Sequence, residues 1–236
     1  VGYRSKKFYT VSNSEFIIGG VASTYRYSVL KHVGFYDDDI QTEDIALSMK
    51  VASLGNRQYR LVYGADVLAM TEGVQTFKAL LRQRYRWKLG SLQSLFKYRH
   101  LLLSLDHKYS AALTWYRIPV SFLGELIVLI EPFLIAYIIY LSFLALSLQA
   151  FVGAYALITL YLLWSVWPDE HMKFREKLKM TSYVPIMYFL FYIMNVVQLW
   201  AIVQCIIHYR QVLGRTPTNG TWTSPERVGE PRVQFS

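Results

Sequence analysis

The sequence predicts a mixed α/β domain followed by an α-helical membrane region. Two observations carry that prediction. The first hundred residues alternate short apolar runs with Gly, Asn and Asp turn signals and with stretches of helical apolar periodicity. Beyond residue 117 the pattern changes. The fifty residues Ile118–Trp167 carry only Glu125 and Glu131 as charges, and the twenty-five residues Tyr183–Ile207 carry none. About 20 apolar residues suffice for a helix to cross a hydrocarbon core. Two to three spans are therefore expected, near Ser121–Leu146, Ala150–Trp167 and Pro185–Ile207.

Composition narrows the function classes. The chain has 236 residues, 53% of them hydrophobic, with 25 Lys+Arg against 16 Asp+Glu and one cysteine. A chain this apolar buries enough surface to offset its ordering entropy, which excludes disorder. Cys205 has no partner in the chain, which excludes a disulfide-stapled module. The net charge of +9 invites nucleic acid, but the positive mean hydropathy of +0.22 favours a membrane surface. The excess is also local: Lys78 to Lys108 holds eight cations against Asp106 alone. The chain opens on Val1 with no basic-then-apolar leader, so it is expected to be an internal piece of a longer protein.

The elements follow in order. Phe16-Ile17-Ile18 is a predicted strand ending at Gly19-Gly20. Thr24 to Val33 suits a short helix closed by Gly34, and Asp37-Asp38-Asp39 reads as a solvated loop. A helix follows with Thr42 as N-cap, Glu43 and Asp44 in its first turn, and a stop at Gly55-Asn56. Tyr59–Tyr63 and Asp66–Met70 are predicted strands around Gly64. From Val74 to about Tyr98 the spacing predicts a long helix, with Leu81, Tyr85, Leu89 and Leu92 among its apolar positions and Lys78, Arg82, Arg86 and Lys88 among its cations. The expected segments are 1–73, an α/β part; 74–117, interfacial helices; 118–207, membrane spans; and 208–236, a polar tail. Lys173, Arg175, Lys177 and Lys179 would hold the 168–182 linker and the first hundred residues in the cytoplasm.

Two clusters could carry chemistry. Thr42-Glu43-Asp44 is by itself an ordinary helix start, since acids in a first turn meet unpaired backbone N–H groups. An Asp held there can also act as a general base toward a hydroxyl. Gln83, Arg86 and Trp87 share one helix face. Arg86 suits a bidentate pair with a diphosphate, Trp87 a sugar ring, and Gln83 hydroxyls or a base edge. The plainer reading is an amphipathic helix resting on anionic lipid. The five histidines show no metal-ligand spacing. Glu125 and Glu131, within an apolar segment, are candidates for lining a polymer channel. Asn219-Gly220-Thr221 has the glycosylation pattern, which chance explains better.

Thr-Glu-Asp, then Gln-x-x-Arg-Trp beginning 39 residues after its Asp, then apolar spans, resembles the family 2 processive glycosyltransferases. These are the synthases of cellulose, chitin, hyaluronan and poly-N-acetylglucosamine. The connecting text agrees: Gly19-Gly20 before Tyr25-Arg26, Val33-Gly34-Phe35-Tyr36-Asp37, Ala65 to Thr71-Glu72, and the tail Trp222-Thr223-Ser224-Pro225-Glu226-Arg227.

The resemblance implies the C-terminal half of a GT-A domain followed by a membrane region in the cell membrane, with the catalytic part cytoplasmic. Asp44 would be the general base, supported by Glu43. Gln83, Arg86 and Trp87 would line the acceptor and diphosphate end. The donor would be a nucleotide sugar such as UDP-N-acetylglucosamine, and the acceptor a growing polysaccharide. It also implies Mg²⁺ or Mn²⁺ held by an Asp-x-Asp in a nucleotide-binding half that this sequence does not contain, so this piece alone is expected to be inactive. Two rivals stand beside it: a transferase adding one sugar to a lipid or glycolipid, and a non-enzymatic transporter or scaffold.

Overall fold

The computed structural model describes residues 2–64, 67, 73–144, 148–167 and 172–215. The tail motif Trp222–Arg227, the Asn219–Thr221 pattern, His171, Ala65, Thr71-Glu72 and nearly all of the expected Asp66–Met70 strand lie outside these residues. The helices are α1 (Gly2–Val11), α2 (Tyr27–Val33), α3 (Glu43–Gly55), α4 (Phe77–Lys97), α5 (Ile118–Leu144), α6 (Gln149–Val166), α7 (Phe174–Ile207) and α8 (Tyr209–Val212). A π-helical turn, Ala112–Arg117, leads directly into α5. The chain divides into two compact units: Gly2–Phe122 with Ala201–Ser236, and Leu123–Trp200.

In the first unit, α2 ends where Gly34 takes the left-handed conformation (φ 75°) and its N–H returns to the Leu30 carbonyl. A side chain would strain that cap, which is why glycine stands there. Helix α3 begins and stops where its acids and its Gly55-Asn56 place it. Helix α4 is capped by Thr76, whose Oγ1 accepts from the Ala79 N–H at 3.2 Å. Phe16, Leu47, Leu95, Leu101, Leu113 and Ile118 form its core, all at most 2% exposed. Asn56 ties three segments at the edge of that core: it donates to the Asn13 carbonyl (2.6 Å) and accepts from the Ser110 N–H (2.8 Å).

The predicted strands take another form. Among the described residues no strand is present, and Phe16–Ile18 and Tyr59–Tyr63 contain no regular element. A ladder is not what satisfies their backbone. The Phe16 and Ile17 N–H groups donate to the buried Glu15 carboxylate at 3.2 and 3.1 Å, and the Ile18 N–H donates to Ser48 Oγ at 3.1 Å. Lys6 takes the Ile17 carbonyl, and the Tyr63 N–H donates to Thr10 Oγ1 at 2.9 Å. Side chains stand where a neighbouring strand was expected.

The Asp run also departs from a solvated loop. Asp38 and Asp39 are exposed, but the Asp37 carboxylate is largely covered. Asp37 pairs with Lys50 (2.6 Å) and Lys97 (2.9 Å), and the Tyr98 hydroxyl donates to it at 3.3 Å. It joins the loop after α2 to both α3 and α4.

The second unit holds most of α5, α6 and most of α7. Among the described residues one helix, Ala112–Leu144, is long and apolar enough to cross a membrane, where two to three spans were expected. The expected second and third spans fall in α6 and α7, whose shorter apolar stretches are Tyr155–Trp164 and Tyr192–Ile207. Within this unit, Asn195 of α7 donates to the Glu131 carboxylate of α5 at 2.7 Å.

Candidate functional site

The site begins at the N-terminus of α3. Thr42 occupies the N-cap with extended backbone, as its residue type predicts, but its side chain makes no capping bond. Its Oγ1 is buried and has no hydrogen-bond partner. Across the gap, Thr42 lies against Gly90 of α4, where an added Cβ would stand 2.7 Å from the Thr42 Cβ. Only glycine lets the two helices approach so closely. Gln93, one turn further and 4% exposed, accepts from the Gln41 N–H (2.9 Å) and donates to the Gln211 carbonyl (2.9 Å). On the other flank of α4, Leu89 packs with Cys205 and Val212, which assigns Cys205 to a core.

Two residues into α3, both oxygens of Asp44 are held. Oδ2 accepts from the Gly20 N–H at 2.8 Å and Oδ1 from the Ile45 N–H at 2.9 Å. The Gly19-Gly20 turn lies against this carboxylate, with room for a Cβ on Gly20 at ordinary contact distance, 3.4 Å from Asp44 Oδ2. Glu43 is exposed beside it, and Asp44 is half-buried. A carboxylate with both oxygens anchored by N–H donors, yet still reachable, is suited to accept one more proton donor.

Gln83, Arg86 and Trp87 lie on α4 just before Gly90. At 100° per residue, Gly90 falls between Arg86 and Gln83 on the helix wheel, with Trp87 adjoining. The face that receives Thr42 is therefore the face of these three side chains, with Arg86 and Trp87 one turn away and Gln83 two. Gln83 and Arg86 are half-buried, and the Trp87 indole is exposed, at 42%. The Arg84 guanidinium sits over the Trp87 ring, 4.8 Å from its centroid, and burial lowers its affinity for a proton. Thus the structure brings the Thr-Glu-Asp turn onto the helix of the second motif through Thr42 and Gly90.

Sequence reasoning missed several neighbours of this site: Ser48 and Tyr25 behind Asp44, Gln93, Arg84, and the role of Gly90. Gly90 had a signal, since a glycine inside a helical pattern marks close packing. Ser48, Tyr25 and Gln93 had none, because Tyr25 lies 23 residues from Ser48 and the partners of Gln93 lie 52 and 118 residues away; Arg84 had the i, i+3 spacing to Trp87.

No group of three or more His, Cys, Asp or Glu side chains that could hold a metal ion converges among the described residues. Asp37 and Asp39, the obvious acidic pair, are already engaged by Lys97. The residues described do not fit a divalent cation.

Comparison with known proteins adds the following. The family profile for glycosyl transferase family group 2 matches residues 3–213. The chain is 32% identical over 119 residues to a poly-beta-1,6-N-acetyl-D-glucosamine synthase of Staphylococcus epidermidis, a match covering 47% of this chain and 28% of that protein. It is 33% identical over 92 residues to the synthase of the same name from Staphylococcus aureus strain COL, covering 39% and 22%. The matches thus span less than a third of these curated relatives. No solved structure matches the chain. The profile match runs through both motifs and the helices between and after them, and on that extent the chain belongs to glycosyl transferase family group 2.

Proposed function

We propose that this chain is the acceptor-side and membrane portion of an inverting glycosyltransferase that elongates a β-linked polysaccharide. The supporting observation is the double anchoring of Asp44 on a helix that Thr42 packs onto Gly90, one turn from Arg86 and Trp87 and two turns from Gln83. The similarity to poly-beta-1,6-N-acetyl-D-glucosamine synthases supports UDP-N-acetylglucosamine as donor and a growing glycan as acceptor. The one long apolar helix among the described residues and the six cations of α4 support placement at the cell membrane, with the polymer leaving through it.

The chemistry assigned to these residues is compact. Asp44 takes the proton of the acceptor hydroxyl. The freed oxygen attacks the anomeric carbon opposite the diphosphate, the bond to that diphosphate breaks, and the nucleoside diphosphate departs with its electron pair. One base suffices, and the configuration inverts. Glu43 adds negative charge beside Asp44 from the exposed side. Arg86 orients the diphosphate, Gln83 bonds hydroxyls, and Trp87 gives the terminal sugar an apolar platform. A divalent cation on the donor diphosphate would need ligands other than the side chains described here.

The test uses the full-length protein in membranes with UDP-N-acetylglucosamine. Asp44→Asn should lower transfer by about 10²- to 10⁴-fold while leaving donor binding intact. Retained transfer would remove Asp44 from the base role. Trp87→Ala should shorten the product. If the wild type adds only one sugar, elongation is the part that fails.

A further inference from the structure

Behind the Asp44 carboxylate, one hydroxyl collects four polar partners. Ser48 is fully buried, one helical turn after Asp44 on α3. Its Oγ lies 2.8 Å from the Asp44 carbonyl, 3.1 Å from the Ile18 nitrogen, 2.9 Å from the Tyr25 hydroxyl and 3.4 Å from the Ile18 carbonyl. A serine hydroxyl has one proton and two acceptor positions. The closest carbonyl, Asp44's, takes the proton. The Ile18 N–H and the Tyr25 O–H then fill the two acceptor positions, so Tyr25 is the donor. Burial raises the Tyr25 pKa, the hydrogen bond with Ser48 partly opposes this, and Tyr36 and Asp44 add to the rise.

This hydroxyl holds both ends of the loop from Ile18 to Tyr25. Two residues after Ile18, the Gly20 N–H donates to Asp44 Oδ2. The connections close a ring: Asp44 through one turn of α3 to Ser48, from Ser48 to Ile18, from Ile18 along the backbone to Gly20, and back to the Asp44 carboxylate. Ser48 therefore decides where the Gly20 N–H points, and that N–H decides how the carboxylate is turned. We propose that Ser48 and Tyr25 are positioning residues for Asp44, acting through the Gly20 loop. The inference rests on the reading of Asp44 as the base.

The experiment compares Ser48→Ala, Ser48→Thr, Tyr25→Phe and Asp44→Asn in the full-length protein in membranes, with radiolabelled UDP-N-acetylglucosamine as the probe. Displacing a reacting group by a fraction of an ångström to one ångström costs about tenfold to a hundredfold in rate. Ser48→Ala should lower kcat by about tenfold or more and leave the donor KM within about twofold. Ser48→Thr, which keeps the hydroxyl, should restore most of the loss. Tyr25→Phe should lower kcat by a smaller factor, about threefold, because the Ile18 and Asp44 bonds to Ser48 remain. A merely structural role would move yield or KM and would not be rescued by threonine. Wild-type kcat in Ser48→Ala, or a Ser48→Thr as defective as the alanine, overturns the proposal. So does a change confined to KM. If Ser48→Ala fails to accumulate, Ser48→Thr and Tyr25→Phe decide: a threonine variant at wild-type kcat with a slowed phenylalanine variant supports it, and any other pairing overturns it. Asp44→Asn separates the two readings. If it stays active, the base assignment itself falls. If it is inactive while Ser48→Ala is normal, only the positioning role falls.

Discussion

Thr42 rests on Gly90 with no room for a single added carbon, and this contact joins the two motif-bearing helices. Gly90→Ala must push α3 away from α4, since the nearest atoms belong to a short, buried side chain that cannot swing aside. Overpacking of this kind costs about 1–3 kcal/mol. The variant should unfold at a lower temperature and lose transfer activity. A double variant, Thr42→Ala with Gly90→Ala, should recover part of both, because removing the Thr42 hydroxyl and methyl relieves two of the three close contacts, the shortest among them. Equal stability of Gly90→Ala and wild type in a thermal melt would contradict the contact.

Gln93 makes a second, independent prediction. It is nearly fully buried, and its amide satisfies the Gln41 N–H with its oxygen and the Gln211 carbonyl with its nitrogen. Gln93→Leu keeps the volume but orphans both groups. Each buried orphan costs about 1–3 kcal/mol. The expected result is a stability loss larger than that of Gln93→Glu, whose carboxylate still accepts from Gln41. Denaturant unfolding of the detergent-solubilised protein measures both. A leucine variant as stable as wild type would show that neither bond matters.

The residues of these two contacts show what sequence could and could not reveal. Helix α3 was legible because Glu43 and Asp44 mark its start and Gly55-Asn56 its stop, all within thirteen residues of one another. Helix α4 was legible from its apolar period, and Gly34 announced the end of α2. The Phe16–Ile18 segment was not, since an apolar run bounded by glycines looks the same whether its N–H groups meet a strand or Glu15 and Ser48. Asp37 looked solvated because its cations, Lys50 and Lys97, lie 13 and 60 residues away. The π-helical turn at Ala112–Arg117 has no composition cue at all. In the candidate site, the residue types suggest a chemistry, while the contacts around them come only from the fold.

Asp37 carries a pH signature. Burial pushes its carboxyl upward, but hydrogen bonds and charge from Lys50 and Lys97 outweigh that and hold its pKa below the ordinary carboxylate value. A group whose pKa is lower folded than unfolded contributes stability above the unfolded value and loses it as pH falls through the folded one. Stability from these pairs should therefore be complete above about pH 5 and fade below about pH 4. Asp37→Asn should melt lower at pH 7 and show a weaker further decline between pH 5 and pH 3. Melting curves across that range decide it: parallel declines in the two proteins would rule out Asp37 as a source.

Arg84 covers the Trp87 ring from one side, 4.8 Å from its centroid, while the indole as a whole stays 42% exposed. A guanidinium over an indole is worth about 0.5–2 kcal/mol, more where it is desolvated. Arg84→Ala should free the ring, raise its mobility and weaken acceptor use without changing donor binding. Fluorescence anisotropy of Trp87, isolated by subtracting the Trp87→Phe protein, reports the first effect, and acceptor KM the second. Unchanged anisotropy would show that the cation does not hold the ring.

The bond from Asn195 to Glu131 at 2.7 Å sits on α5, directly before Pro132, in a helix that is otherwise almost wholly apolar. On the proposed membrane placement, a carboxylate there needs a partner, because an unpaired polar group in hydrocarbon is costly. Yet side-chain hydrogen bonds between membrane helices average only about 0.6 kcal/mol, with a ceiling near 1.7, since the separated helices also find partners. A double-mutant cycle with Glu131→Leu and Asn195→Leu should give a coupling within that range. The Asn195→Leu single variant should be the more damaging one, because it strands the acid, whereas Glu131→Leu strands only an amide. Glu131→Gln keeps an acceptor oxygen and should lie nearest to wild type. Unfolding in bicelles supplies all four stabilities. If Glu131→Leu proved the worst of the single variants, the carboxylate would be serving something other than Asn195, and its place in the apolar layer would need a different partner.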